Sequence, residues 1–231
     1  LPLGIDSMCP DYSLYEIKNK AFGQLTIGCP RGCEFCDVVN IEGRLSIKVR
    51  NLSQFWHGEK EIVLLDPNIL ACVDRRELLQ QLADSGAWVD FTQGLDIRFI
   101  NADVIDMLNK IKVKMLHFAW DKMDKPDHMI RQFNWFKRGT DIKDSRKLRV
   151  YVLTNFNTTH EEDLYRIYTL KEIGYDPYVM IYDKTKFVTD KNRLRPMREL
   201  LKTYTYEQIE HFKVNWKMQR WVNNKLIFHS G

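Results

Sequence analysis

The chain has 231 residues, 44% hydrophobic, 12% aromatic and 29% charged, with a mean hydropathy of -0.41, a composition that suits one large domain or one domain with a short appendage. With 11 Gly, 7 Pro, no internal repeat and no apolar run near the roughly 18 residues of a membrane span, it falls outside the collagen-like, low-complexity and transmembrane classes. The formal charge of +4 is uneven: from Lys184 onward 11 Lys and Arg stand against 4 Asp and Glu, a net of +7 that leaves −3 for the rest.

The first β-rich apolar run is Phe22 to Ile27, and it leads directly into a cysteine-rich loop. A second run, Glu61 to Asp66, precedes a helix: Asp74 and Glu77 have the spacing of a capping box ahead of Leu78, Leu79 and Leu82, and Gly86 supplies the stop. The third run is Trp88 to Phe91. Asn101 then caps a helix that carries Val104, Ile105, Leu108 and Ile111 on one face, and a fourth run follows at Val113 to Trp120. Pro126, a favoured first helical residue, opens a helix with Met129, Ile130 and Phe133 inward. The fifth run is Leu148 to Leu153. Thr159 and Glu162 form a second capping box, for a helix that turns Leu164, Ile167 and Tyr168 inward and ends near Gly174. The sixth run is Tyr178 to Tyr182.

Starts of these runs lie 25 to 39 residues apart, the length of right-handed βαβ units, so the sheet is expected to be parallel. Six units fall short of the eight in a closed barrel of about 250 residues, which leaves an incomplete TIM-type barrel or a doubly wound open sheet. The expected division is a lead-in over 1–20, a core over 21–183 and a basic, mostly helical extension over 184–231. Polar residues follow each run: Asp66 and Asn68, then Gln93, Asp96 and Arg98, then Asp121, then Thr154, Asn155 and Asn157, then Asp183. In parallel α/β folds such positions gather at the carboxyl ends of the strands, where sites are built.

Five cysteines, Cys9, Cys29, Cys33, Cys36 and Cys72, are an odd number in a chain without a secretory signal, which points to reduced thiols and a cytoplasmic setting. Because the first residue is Leu, the sequence reads as the core of a longer protein. Three of the cysteines lie in Gly28-Cys29-Pro30-Arg31-Gly32-Cys33-Glu34-Phe35-Cys36, a C-x3-C-x2-C spacing in which Pro30 and Gly32 supply turns. Sulfurs so spaced can bind three corners of a 4Fe-4S cube and leave the fourth iron open to an exogenous ligand. The rival readings are a zinc site completed by His57 or His117, or three reduced thiols without a metal.

C-x3-C-x2-C with an aromatic, Phe35, before the last cysteine resembles the signature of the radical S-adenosylmethionine superfamily, and six βα units resemble its partial barrel. The resemblance implies that Cys29, Cys33 and Cys36 hold the cluster and that the amino and carboxylate groups of S-adenosylmethionine chelate the fourth iron. One-electron transfer from a reductant such as flavodoxin or ferredoxin then cleaves the sulfonium to a 5′-deoxyadenosyl radical, which abstracts hydrogen from substrate. It places Asp66 and Asn68 by the methionine amino group, although the usual Gly-Glu pattern is absent and Asp or Asn after a strand equally often makes a turn. Arg98 would fork onto the cofactor carboxylate with Gln93 or Asp96 on ribose or substrate, unless Asp96 and Arg98 pair with each other. Asp121 falls where the superfamily contacts ribose, and Asn155 and Asn157 replace the glycines of its adenine-binding segment. His117 and Tyr182 read more simply as core residues, and Cys9 and Cys72 as ordinary thiols.

From Arg193 onward, basic residues alternate with Tyr204, Tyr206, Phe212, Trp216 and Trp221, a composition able to hold phosphates and stack bases, so RNA is a conceivable partner. Ile209, Phe212 and Trp216 at helical spacing favour instead a helix laid on the barrel with a solvated basic face. The alternative to radical chemistry is therefore a zinc- or cluster-stabilised nucleic-acid-binding module.

Overall fold

A computed structural model describes residues 17, 19–154 and 156–182. In chain order these form β1 (Lys20–Gly23), β2 (Thr26–Ile27), α1 (Val38–Glu42), β3 (Ile47–Lys48), β4 (Glu61–Leu64), α2 (Arg75–Ser85) and β5 (Trp88–Leu95). They continue with α3 (Ala102–Lys110), β6 (Lys112–Ala119), α4 (Pro126–Gly139), β7 (Leu148–Thr154), α5 (His160–Glu172) and β8 (Asp176–Ile181). Two compact units result, one running to Phe118 and resuming over Arg131–Leu148, the other made of Ala119–Ile130 and the chain from Arg149.

The fold is α/β, as the run spacing predicts. In the first unit β1, β4, β5 and β6 lie side by side in that order, all parallel, with Lys20 opposite Glu61, Glu61 opposite Trp88 and Trp88 opposite Lys112. Each crossover advances by one strand without reversing direction, which is the winding of a barrel; a doubly wound sheet reverses at a switch point. Ile62, Leu64, Val89, Phe91, Val113, Leu116 and Phe118 are buried along these strands, and Leu78, Leu79, Leu82, Val104, Ile105 and Leu108 are buried on α2 and α3. Each such side chain contributes roughly 1.5–3 kcal/mol by leaving water, so these residues are the main stabilising mass of the unit. At the amino end of the strands Glu61 accepts from Lys114 at 2.6 Å and pairs with Lys20 at 3.2 Å. The Lys114 hydrogen bond is the main cause that lowers its carboxyl pKa.

Local punctuation is partly as expected. Gly86 closes α2 in the left-handed region at φ 63°, and Asn101 Oδ1 accepts the Val104 amide at 2.9 Å. The capping box at Asp74 does not form: Asp74 makes no side-chain cap, and Glu77 turns to Lys48 of β3 at 2.6 Å, where a cation offers a stronger, charge-assisted bond than a backbone amide. The single strand expected over Phe22 to Ile27 is also two. β1 pairs with β4, whereas β2 leaves that sheet and pairs antiparallel with β3.

In the second unit β7 and β8 are parallel, with Arg149 opposite and ion-paired to Asp176 at 3.1 Å. The Thr159 and Glu162 capping box forms, the Thr159 amide donating to Glu162 Oε2 at 2.8 Å. The inward face of α5 differs from the apolar reading. Asp163, Arg166, Ile167 and Leu170 are buried, while Leu164 and Tyr168 are half-buried, because an internal ion pair occupies the positions that periodicity gives to Leu164 and Tyr168. Residues 184–231, expected to be a helical extension, and the lead-in up to residue 16 lie outside the described residues.

Candidate functional site

The cysteine loop begins where β1 is broken. After Gly23 the chain turns, and the backbone amides of Leu25 and Thr26 donate to the Asp66 carboxylate, Leu25 at 3.0 and 3.1 Å and Thr26 at 2.6 Å, with the Thr26 hydroxyl adding a bond of 2.7 Å. Asp66 is 4% exposed and stands just past β4. Burial pushes its pKa up to about 6, against the opposing pull of the Thr26 and Leu25 donors. These bonds give β2 its new direction, and β2 pairs with β3 through Thr26 to Lys48 and Ile27 to Ile47. The ribbon closes a loop that contains all three clustered cysteines.

Backbone contacts inside the loop are close. Gly28 has φ 81°, its amide donates to Glu42 Oε2 at 2.9 Å, and a Cβ there would stand 2.1 Å from the Leu45 carbonyl oxygen, so only glycine fits. The Cys29 amide donates to Gly43 O at 3.1 Å and the Cys36 amide to Cys33 O at 3.0 Å. Cys29, Cys33 and Cys36 are in no disulfide and half-buried; Cys72 is likewise in no disulfide and is buried, its thiol pKa raised by desolvation.

Two side chains from successive strand ends reach this loop. Asn68, 3% exposed, donates through Nδ2 to Cys29 Sγ at 3.5 Å, and its backbone carbonyl accepts from Ser46 at 2.9 Å. Its Oδ1 is buried without a hydrogen-bond partner. Asp96, with a side chain 5% exposed, accepts from the Arg98 Nε at 2.6 Å and amide at 3.1 Å through Oδ1. Its Oδ2 is also buried without a hydrogen-bond partner, 3.6 Å from Arg31 Nε in the loop. Buried acceptors are normally satisfied, so two left open at one cysteine loop mark a place built to receive donors. Arg98 is paired with Asp96, the second of the two readings its sequence allows. Gln93 is exposed, and Phe35 is half-buried within the loop.

In the second unit Asp121 Oδ1 accepts the Leu153 amide at 3.0 Å, at the end of β7. Asn157 is exposed in the left-handed region at φ 50°, and Asn155 lies outside the described residues. Phe156 and Tyr182 pack edge to face with centroids 4.6 Å apart. Sequence patterning misses the residue that orders this end. Arg166 is fully buried and donates to Trp120 O at 2.6 Å, to Leu153 O at 2.8 Å and to Asp163, which in turn accepts from Thr158 at 2.7 Å. Its i,i+3 spacing from Asp163 is the one signal in the sequence, and such spacing is common on solvated faces.

Among the described residues no three His, Cys, Asp or Glu side chains converge on a single metal ion. His117, a partner for the zinc reading, is 6% exposed with Nδ1 3.1 Å from Phe91 O, as befits a core histidine. His57 stands in the segment that enters β4, whereas the cysteine loop leaves β1. A cube takes each thiolate on a different iron, so its ligands need not meet at one point. Three cysteines outside any disulfide on one constrained loop, an amide donor on one sulfur and open buried acceptors beside them fit such a group.

No family model and no curated protein matches the chain. Solved structures do. The chain is similar to Streptococcus suis SuiB bound to S-adenosylmethionine, at 14% identity and a TM-score of 0.58 over 86% of this chain and 50% of that one. SuiB bound to the precursor peptide SuiA gives a TM-score of 0.55 at 14% identity, over 81% of this chain and 46% of that one. SuiB alone gives 0.54, also at 14% identity, over 86% and 49%. The chain thus spans about half the length of the SuiB chains it matches, and at this identity what it shares with them is the fold.

Proposed function

We propose that the chain is a radical S-adenosylmethionine enzyme acting on a peptide. The observation that carries the reading is the cysteine loop: Cys29, Cys33 and Cys36, none in a disulfide, share one loop at the carboxyl end of β1, beside the buried, open acceptor of Asn68. Support from outside the chain is its fold, shared with SuiB, whose structures include S-adenosylmethionine in one case and a precursor peptide in another. When bound, a 4Fe-4S cluster and S-adenosylmethionine supply reductive cleavage of the sulfonium and a carbon radical able to abstract hydrogen.

The residues divide the remaining work. Cys29, Cys33 and Cys36 are the cluster ligands. Asn68 Oδ1 and Asp96 Oδ2 accept hydrogen bonds from the cofactor's ammonium and hydroxyl groups, and each is already pre-aimed by its tie to the loop, Asn68 to Cys29 and Asp96 to Arg31. Asp66 shapes the loop, its carboxylate accepting from Leu25 and Thr26. A low-potential protein such as flavodoxin or ferredoxin supplies the electron. RNA as a substrate rests on the basic tail, which lies outside the described residues; no helix among the described residues is long and apolar enough to cross a membrane.

The test is anaerobic reconstitution followed by dithionite and S-adenosylmethionine. The expected result is a brown protein with iron and sulfide in equal amounts that forms 5′-deoxyadenosine. One zinc per chain with no sulfide would overturn the reading.

A further inference from the structure

Cys29 differs from an ordinary clustered thiol in having a side-chain donor on its sulfur. Asn68 Nδ2 stands 3.5 Å from Cys29 Sγ, an ordinary length for an amide-to-sulfur bond. The donor is not a passing surface group: Asn68 is 3% exposed, its backbone carbonyl is held by the Ser46 hydroxyl, and it follows Asp66, whose carboxylate is bonded to the start of the same loop. The sequence therefore fixes both ends of the contact, Cys29 by Gly43 and Asn68 by Ser46.

Resting on the cluster reading above, we infer that Asn68 sets the reduction potential of the cluster through its bond to Cys29. Reduction adds one electron to the iron and sulfur core and raises the negative charge on every ligating sulfur. An amide N–H facing one of those sulfurs stabilises the reduced state more than the oxidised state, because a charge-assisted hydrogen bond strengthens with the charge of its acceptor. The potential is therefore higher than three thiolates alone would give, and a weaker reductant suffices. This role belongs to Nδ2 and is separate from the one proposed above for Oδ1, so it persists when S-adenosylmethionine is absent.

The experiment is a redox titration of the reconstituted protein without S-adenosylmethionine, followed by the electron paramagnetic resonance signal of the reduced cluster. Asn68→Leu keeps the volume and removes the donor; Asn68→Asp keeps the shape and replaces the donor by a negative oxygen. Both are expected to shift the midpoint to more negative values at unchanged iron and sulfide content, Asn68→Asp further than Asn68→Leu. A midpoint equal to the parent's in both, with full iron content, would overturn the inference and leave the cluster reading standing. A parent protein that takes up zinc without sulfide would overturn both. Where a variant fails to hold iron, the parent decides: labelled with nitrogen-15 in the asparagine side-chain amide alone, it is expected to show hyperfine coupling to the reduced cluster, and absence of that coupling overturns the inference.

Discussion

The carboxyl ends of the strands are finished in opposite ways in the two units. In the second unit a buried cation closes the end of β7: Arg166 satisfies the carbonyls of Trp120 and Leu153 and is itself neutralised by Asp163, while Asp121 takes the Leu153 amide. In the first unit polar groups of similar burial are tied to the cysteine loop but not exhausted by it, with Asn68 Oδ1 and Asp96 Oδ2 left open. The difference separates polar residues whose acceptors are all used within the fold from those with one acceptor still without a hydrogen bond. Both kinds look alike in sequence, as Asp, Asn or Arg near the end of an apolar run.

The comparison is broken most decisively at the cysteines. Cys33→Ala is expected to abolish iron and sulfide uptake and 5′-deoxyadenosine formation while leaving the thermal melting temperature of the iron-free protein near the parent's, since a half-buried thiol contributes little packing. Metal analysis and calorimetry on one preparation check both halves. Arg166→Ala should do the reverse. It removes the cation beside buried Asp163 and one donor from each of two strand-end carbonyls, a loss of about 3–5 kcal/mol in chemical denaturation, with cluster assembly in the first unit retained whenever the protein is folded.

Asp66 sharpens the contrast by pH. Its folded pKa of about 6 lies above the ordinary value of 3.8, so the folded state holds the proton more tightly than the unfolded state. The contribution is fully present below pH 3.8 and is lost as pH rises through about 6. Its size is on the order of 3 kcal/mol by the usual conversion of pKa shifts to free energy. In Asp66→Asn that fall with rising pH should vanish, read as the difference between parent and variant denaturation midpoints at pH 4 and pH 7. Smallest are the two helix caps: Asn101→Ala in the first unit and Thr159→Ala in the second should each cost about 1 kcal/mol, and equal costs would show that the units differ at their carboxyl ends and not in ordinary helix punctuation.

The parallel strands of each unit are legible as apolar runs rich in strand-forming residues, α2 and α5 stop at or near their glycines, and α3 starts at its Asn101 cap. What sequence patterning does not carry is set by partners far along the chain. The break between β1 and β2 needs Asp66, 41 residues from Leu25, and nothing in Phe22 to Ile27 announces it. Glu77 turns from the start of its helix to Lys48, 29 residues away. Arg166 is buried although its composition assigns it to solvent, because Asp163 and two strand-end carbonyls surround it. The cysteine spacing is visible at once, whereas the separate duties of Asp66 and Asn68, adjacent to the same proline, emerge only from which atoms each one touches.

Because a carboxylate from the next strand gives the ribbon its bearing, the nine residues Gly28 to Cys36 are not a portable module. Transplanted alone onto a foreign barrel they would bring the sulfurs without the compass that orients them. The smallest piece worth grafting is the whole hairpin together with Asp66, Pro67 and Asn68.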